Sequence, residues 1–219
     1  MAMAKRQTLL VPASRLGRRE RRSAETRERL YRAALRLFAE RGFQETTVED
    51  ITEAADVGKG TFFNYFATKE HVLAAFGGER IAALEHAVEQ ARATQGPILN
   101  VLRELAVNVA GQSRESPALL RAIYAAHATS APVRAQLQRR MQTTRRLLAE
   151  IFSLAQQRGE VRRDLSAMDL ARRTQIVFVG VTLAWAVVPE DSISKRSAAV
   201  WEIFRLGLLT PRARKRAAT

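Results

Sequence analysis

The chain of 219 residues contains no cysteine, only five lysines against 31 arginines, six prolines and 14 aromatic side chains. Without cysteine there is no disulfide framework and no thiolate metal site, which agrees with a reducing cytoplasm. The three histidines, His71, His86 and His127, are too scattered to propose a metal site. No nucleophile–base–orienter set and no phosphate-cradling glycine loop is present, so an enzyme is not expected, and neither a metal nor a cofactor. Long apolar runs are missing too. The longest, "IVFVGVTLAWAVVP" from Ile176, falls short of the ~20 residues that cross a bilayer, so a buried core helix is expected and no membrane partner. The N-terminal stretch lacks the sustained apolar core of a secretory signal. The scarcity of lysine and the wealth of alanine reflect GC-rich coding more than chemistry.

What is present is a hydrophobic content of 47% and a net charge of +14. The first is ample for a packed core, and the second points to an anionic partner, nucleic acid first. Residues 1–70 carry 14 basic and 10 acidic groups, and residues 71–219 carry 22 and 12. The sharpest excess is in the first 30 residues, nine against three, through Arg15, Arg18, Arg19, Arg21 and Arg22. These arginines form either an arm that follows DNA into the minor groove or a solvated tail.

Nearly every segment has helical periodicity and none alternates convincingly, so the fold class is all-α. A first helix from Ser23 to Arg41 carries an apolar stripe of Leu30, Ala34, Leu37 and Phe38, and Gly42 ends it. In "TTVEDITEAA" the spacing of Thr46 and Glu49 predicts a capping box. Thr68 is placed to cap a helix from Lys69 towards Arg92. Beyond it, Pro97, Pro117 and Pro132 mark helix starts, Gly159 and Pro189 mark ends, and Ser166 with Asp169 repeats the cap spacing. About nine helices result, three short ones ahead of six longer ones. The expected organisation is a basic N-terminal arm (1–22), a small head (23–70), a larger helical body (71–210) and a basic tail (211–219).

One stretch, "DVGKGTFFNYFATKE" at 56–70, packs Phe62, Phe63, Tyr65 and Phe66 into five positions. Aromatic enrichment suggests a strand and glycine a break, but helical geometry accounts for both. Phe62 and Phe66 are four apart, share a face, and can pack on Ile51, Leu37 and Phe38. Gly60, Thr61 and Asn64 then point the other way, with Lys59 at the exposed N-terminal end and Tyr65 flanking Thr61. Two short helices around a tight turn at Asp56-Val57-Gly58 form a helix-turn-helix unit, whose second helix enters the DNA major groove.

The run "TRERLYRAALRLFAERGFQETTVEDITEAADVGKGTFFNYFATKEHVL", residues 26–73, resembles the DNA-binding domain of TetR-family transcriptional regulators. The resemblance rests on "AALRLFAERGF", "TTVEDI", "KGT" with its aromatic cluster, and "KE" opening the next helix. It implies phosphate contacts at Thr47 and Lys69, with Lys59, Gly60, Thr61, Asn64 and Tyr65 facing DNA. Two positions depart from the family pattern. Phe63 stands where a tyrosine hydroxyl usually meets phosphate, and Asp56 replaces the usual turn glycine; aspartate tolerates the left-handed conformation better than most residues.

For the body, the helix from Ile176 is apolar nearly all round, so it either runs through the centre or also meets another subunit. Gly180 and Ala184 permit close approach of a neighbouring helix, and the last helix adds Val200, Ile203, Phe204 and Gly207. The resemblance implies a homodimer joined through these two helices and a cavity for a small-molecule effector. Asn108, Tyr124, His127, Phe152, Gln175 and Trp185 are the polar or aromatic residues that such a cavity would use, each equally readable as an ordinary core or surface residue. It further implies a cytoplasmic repressor that binds a near-palindromic DNA operator and leaves it when the effector binds. An interaction protein coating RNA or acidic membranes would explain the charge but not the ordered cap, turn and aromatic face of 46–69. Gly77-Gly78, inside the helix joining head to body, marks a tight crossing, a break or a hinge.

Overall fold

The computed structural model describes residues 17–110 and 116–209, with the backbone alone for 108–110. Among these residues the chain forms nine helices: α1 (Arg18–Arg41), α2 (Val48–Ala54), α3 (Lys59–Tyr65), α4 (Lys69–Ala93), α5 (Ile98–Ala110), α6 (Pro117–Thr129), α7 (Ala131–Gln157), α8 (Ala167–Val187) and α9 (Ile193–Leu208). Extended pairing among them is limited to one antiparallel bridge, Val161 with Leu209.

Helix α1 begins at Arg18, five residues ahead of the expected Ser23, because the Glu20 carboxylate takes the Gly17 N–H at 3.0 Å. An acidic side chain in the first turn also suits the positive end of the helix dipole. Arg18, Arg19, Arg21 and Arg22 are therefore helical and exposed rather than parts of an arm. Arg15 lies outside the described residues. At the other end Gly42 adopts φ 89°, which its missing side chain allows.

The cap of α2 is shifted by one residue from the expected pair. Thr47, not Thr46, is the N-cap, its hydroxyl accepting from the Asp50 N–H at 3.1 Å while the Asp50 carboxylate takes the Thr47 N–H at 2.8 Å. "TTVED" holds two overlapping boxes, and burial decides between them. Thr46 is completely buried and donates its hydroxyl to the Gly42 carbonyl at 2.7 Å, which leaves it no part in the cap. Asp56, between α2 and α3, has φ 51°, the left-handed geometry expected where relatives of this motif carry glycine.

The first three helices close on Leu30, Leu37, Phe38, Ile51, Phe62 and Phe66, none more than 3% exposed. Of the three, only α2 and α3 are short, since α1 runs for 24 residues instead of the short helix expected. That apolar cluster does not stop at the head: it continues through Val72 and Phe76 of α4 into Ile123 of α6 and Trp185 of α8. A second cluster fills the far end of the body around Leu148, Phe152 and Trp201. Helix α4 runs unbroken through Gly77 and Gly78, so the break is excluded. The glycine marks a close crossing: a Cβ on Gly77 would lie 2.0 Å from Arg140 Nη1 and 2.7 Å from its Cδ.

Helix α8 is long and apolar enough to cross a membrane by composition alone. Here it is a core helix with two sides. Leu170, Thr174, Val181 and Trp185 are buried, while Ile176, Val179, Leu183 and Val187 are exposed at spacings of three and four.

Candidate functional site

Within α3 the residues opposite the core face are Gly60 and Asn64, both exposed, flanked by Thr61 and by Phe63, which is 48% exposed. The Phe63 ring forms a T-shaped pair with Phe62 at 5.5 Å and keeps nearly half of its surface exposed. An amide and a hydroxyl on one short helix make a surface that fits base edges in a major groove.

Other expected contacts are already engaged within the protein. Tyr65 is half-buried and its hydroxyl meets Ser23 Oγ at 3.1 Å, tying the end of α3 to the first turns of α1. Arg19, one turn ahead of Ser23, lies on that same flank. The Lys59 ammonium pairs with Glu49 across the turn, and this bond holds the Glu49 carboxyl below its ordinary pKa. The Thr47 hydroxyl donates to Asp50 at 2.7 Å, which likewise lowers the Asp50 pKa.

Lys69 differs most from its expected role. Its ammonium donates to the carbonyls of Phe43 (2.8 Å), Gln44 (3.1 Å) and Thr46 (3.0 Å) and lies 4.6 Å from the centre of the Phe43 ring. An ammonium has three donors, and all three are occupied. Lys69 is a clasp that closes the α1–α2 loop onto the start of α4.

The body holds a partly open cavity of about 220 Å³ lined by residues from each of the helices α4 to α9. Its wall is mainly apolar, with Phe76, Leu102, Ile123, Leu148, Phe178 and Trp201. Tyr124, His127 and Gln175 line it as expected. The Tyr124 hydroxyl meets Thr182 Oγ1 at 2.6 Å, and Gln175 accepts from Arg145 at 2.6 Å and donates to the Met141 carbonyl at 3.1 Å. Burial, then the charge of Arg140, pushes the His127 pKa down to about 4. Phe152 and Trp185 are elsewhere. Phe152 is sealed in the second cluster, and Trp185 donates its indole N–H to the Asp191 carbonyl at 2.7 Å. The side chain of Asn108 lies outside the described residues. Two cavity residues escaped the sequence reading, Arg80 and Arg140, because as isolated arginines they resemble any solvated charge.

On the outer surface, α8 and the neighbouring α9 each present an apolar stripe. Gly180, Ala184, Ile203 and Gly207 are exposed there, Ile203 to 78%. Val200 and Phe204 turn partly inward, against the first and second clusters.

Residues 30–76 match the profile of bacterial regulatory proteins of the tetR family. The HTH-type transcriptional regulator TcmR of Streptomyces glaucescens is 45% identical over 73 residues, which span 32% of this chain and 32% of that protein. A likeness over the whole fold comes from the FadR of Thermus thermophilus, a TetR-family transcriptional repressor crystallised with lauroyl-CoA. It is 32% identical, with 84% of this chain and 95% of that one covered and a TM-score of 0.60. The chain belongs to the TetR family. That family consists of transcriptional regulators, not enzymes. NalD of Pseudomonas aeruginosa, a repressor of a multidrug efflux pump, shares the TetR-family fold at a TM-score of 0.68 with 19% identity, over 86% of this chain and 99% of that one. The profile match spans the head from α1 into the first turns of α4, whereas most of the cavity wall comes from residues beyond it.

Proposed function

We propose that the protein is a ligand-responsive repressor that works in the cytoplasm as a homodimer on a near-palindromic operator. The observation that carries this reading is the coupling of two features through α4 and α6. Phe76 and Arg80 of α4, and Ile123, Tyr124 and His127 of α6, line the cavity. The same α4 begins at the Lys69 clasp, and α6 packs on α1. A ligand that prefers a different spacing of α4 and α6 shifts the population of dimers away from the separation that DNA requires.

The exposed stripes of α8 and α9 supply the dimer surface, since contiguous apolar exposure of this kind marks an interface. Dimerisation sets two α3 helices about 34–36 Å apart, one turn of DNA. In each half-site Asn64 and Thr61 read bases, with Gly60 letting the backbone approach closely. Lys59 reaches DNA by exchanging Glu49 for phosphate; an exposed pair of this kind is worth little. Arg19 and its neighbours on α1 supply charge along the flanking backbone.

Operator selection from random duplexes, followed by the same selection with Asn64→Ala, tests the assignment. The variant should bind with altered base preference at one or two positions. An unchanged preference would mean that α3 does not read the groove.

A further inference from the structure

The cavity has an apolar wall and one strongly basic corner. Arg80 of α4 and Arg140 of α7 both line it, close enough for their charges to oppose one another. Arg140 makes no ion pair and no hydrogen bond with any described residue, although burial and Arg80 push its pKa down to about 10. Its side chain passes over Gly77, in space that any other residue there would fill. Nearby polar groups are also unanswered: Ser197 Oγ, on a fully buried residue, and His127 Nδ1 have no hydrogen-bond partner, and both residues line the chamber. Arg140, His127 and Leu137 are shared with a second hollow, a cleft of about 360 Å³ between α4 and α7. Arg140 thus forms part of the wall of both the apolar chamber and the cleft.

A half-buried cation beside a like charge is stabilised by an anion that forms charge-assisted hydrogen bonds. The chamber is smaller than the ~300–1,000 Å³ of most small-molecule sites, so the ligand is compact. We propose that the chamber binds a small amphiphile with an anionic head, carboxylate or phosphate, held by Arg140 and Arg80, and an apolar tail lying against Leu102, Leu148 and Phe178. This rests on the reading of the chamber as the effector site.

Calorimetric titration of the full chain with octanoate, octyl phosphate, octan-1-ol and octylamine tests it. At least one anion should bind tenfold or more tightly than the alcohol, and the amine should bind weakest. Arg140→Gln should remove the preference for the anion and leave the affinity for octan-1-ol unchanged. Arg80→Gln carries the same expectation if circular dichroism shows that the first variant is unfolded. Failure of both anions to bind, an alcohol as tight as both, or an unaltered preference in the folded variant overturns the proposal. Operator release is measured separately. An anion that binds through Arg140 yet leaves the operator complex intact keeps this assignment and overturns the repressor reading.

Discussion

Replacing Lys69 by methionine separates a clasp from a DNA contact. The change keeps the length of the side chain and removes the ammonium from the carbonyls of Phe43, Gln44 and Thr46. Hydrogen bonds to a charged group contribute ~1.5–3 kcal/mol each when isolated, and a cation over an exposed ring adds ~0.5–1 kcal/mol. Because one half-buried ion serves all three carbonyls, the loss should be nearer ~3 kcal/mol than the sum. For a chain of this size each kcal/mol moves Tm by ~2–4 °C, so the variant should melt about 6–12 °C lower in the absence of DNA. Lys69→Arg should restore little, since a planar fork cannot point at three converging carbonyls. A phosphate contact predicts the opposite signature: unchanged melting, and a salt dependence of operator binding shallower by about two units of slope, one for each half-site. Scanning calorimetry and operator titrations between 50 and 200 mM salt measure both, on the scale where such slopes are read. A variant that melts with the parent protein while its salt slope falls by that amount refutes the clasp.

Four further outcomes follow from the same geometry. Phe63→Tyr restores the hydroxyl usual at this position and should tighten binding by the dimer roughly 30-fold across operator sequences, the equivalent of one ~1 kcal/mol hydrogen bond in each half-site, without changing base preference. Glu49→Gln frees Lys59 and should strengthen operator binding severalfold at low salt, the gain vanishing at high salt. Ile203→Asp places a charge at the centre of the exposed α9 stripe, and sedimentation should show monomers that no longer hold a palindromic operator. His127 stays neutral in the folded protein down to a pKa of about 4, while the unfolded chain takes up its proton near the ordinary value of 6.5. Stability is therefore lost as pH falls between those values, and His127→Gln should make the decline in Tm across that window shallower.

How much of this could be read in advance depends on whether the deciding force is local. The number of helices, the ends at Gly42, Gly159 and Pro189, and the left-handed turn at Asp56 follow from neighbours within a few residues and were legible, whereas the start of α1 lay five residues ahead of the expected Ser23. The core face of α3 was legible because Phe62 and Phe66 leave no other helical arrangement. Tyr65 was assigned to the outer face because its partner, Ser23, lies 42 residues away. The engagement of Lys69 inside the protein was hidden for the same reason, its three acceptors being 23 to 26 residues distant. The capping box slipped by one because only tertiary burial tells Thr46 from Thr47. The basic corner of the cavity was invisible: Arg80 and Arg140 gain their meaning from a crossing of α4 and α7 that no local pattern announces.

That crossing also carries a consequence for inheritance. Because the Arg140 side chain fills the place of a missing Cβ at position 77, the two codons are not free to drift separately. A mutation from Gly77 to alanine forces the Arg140 side chain to move, a demand that disappears in a lineage where position 140 has already become small. The order of the two changes then decides whether the path is open, and relatives with a side chain at position 77 should lack the arginine.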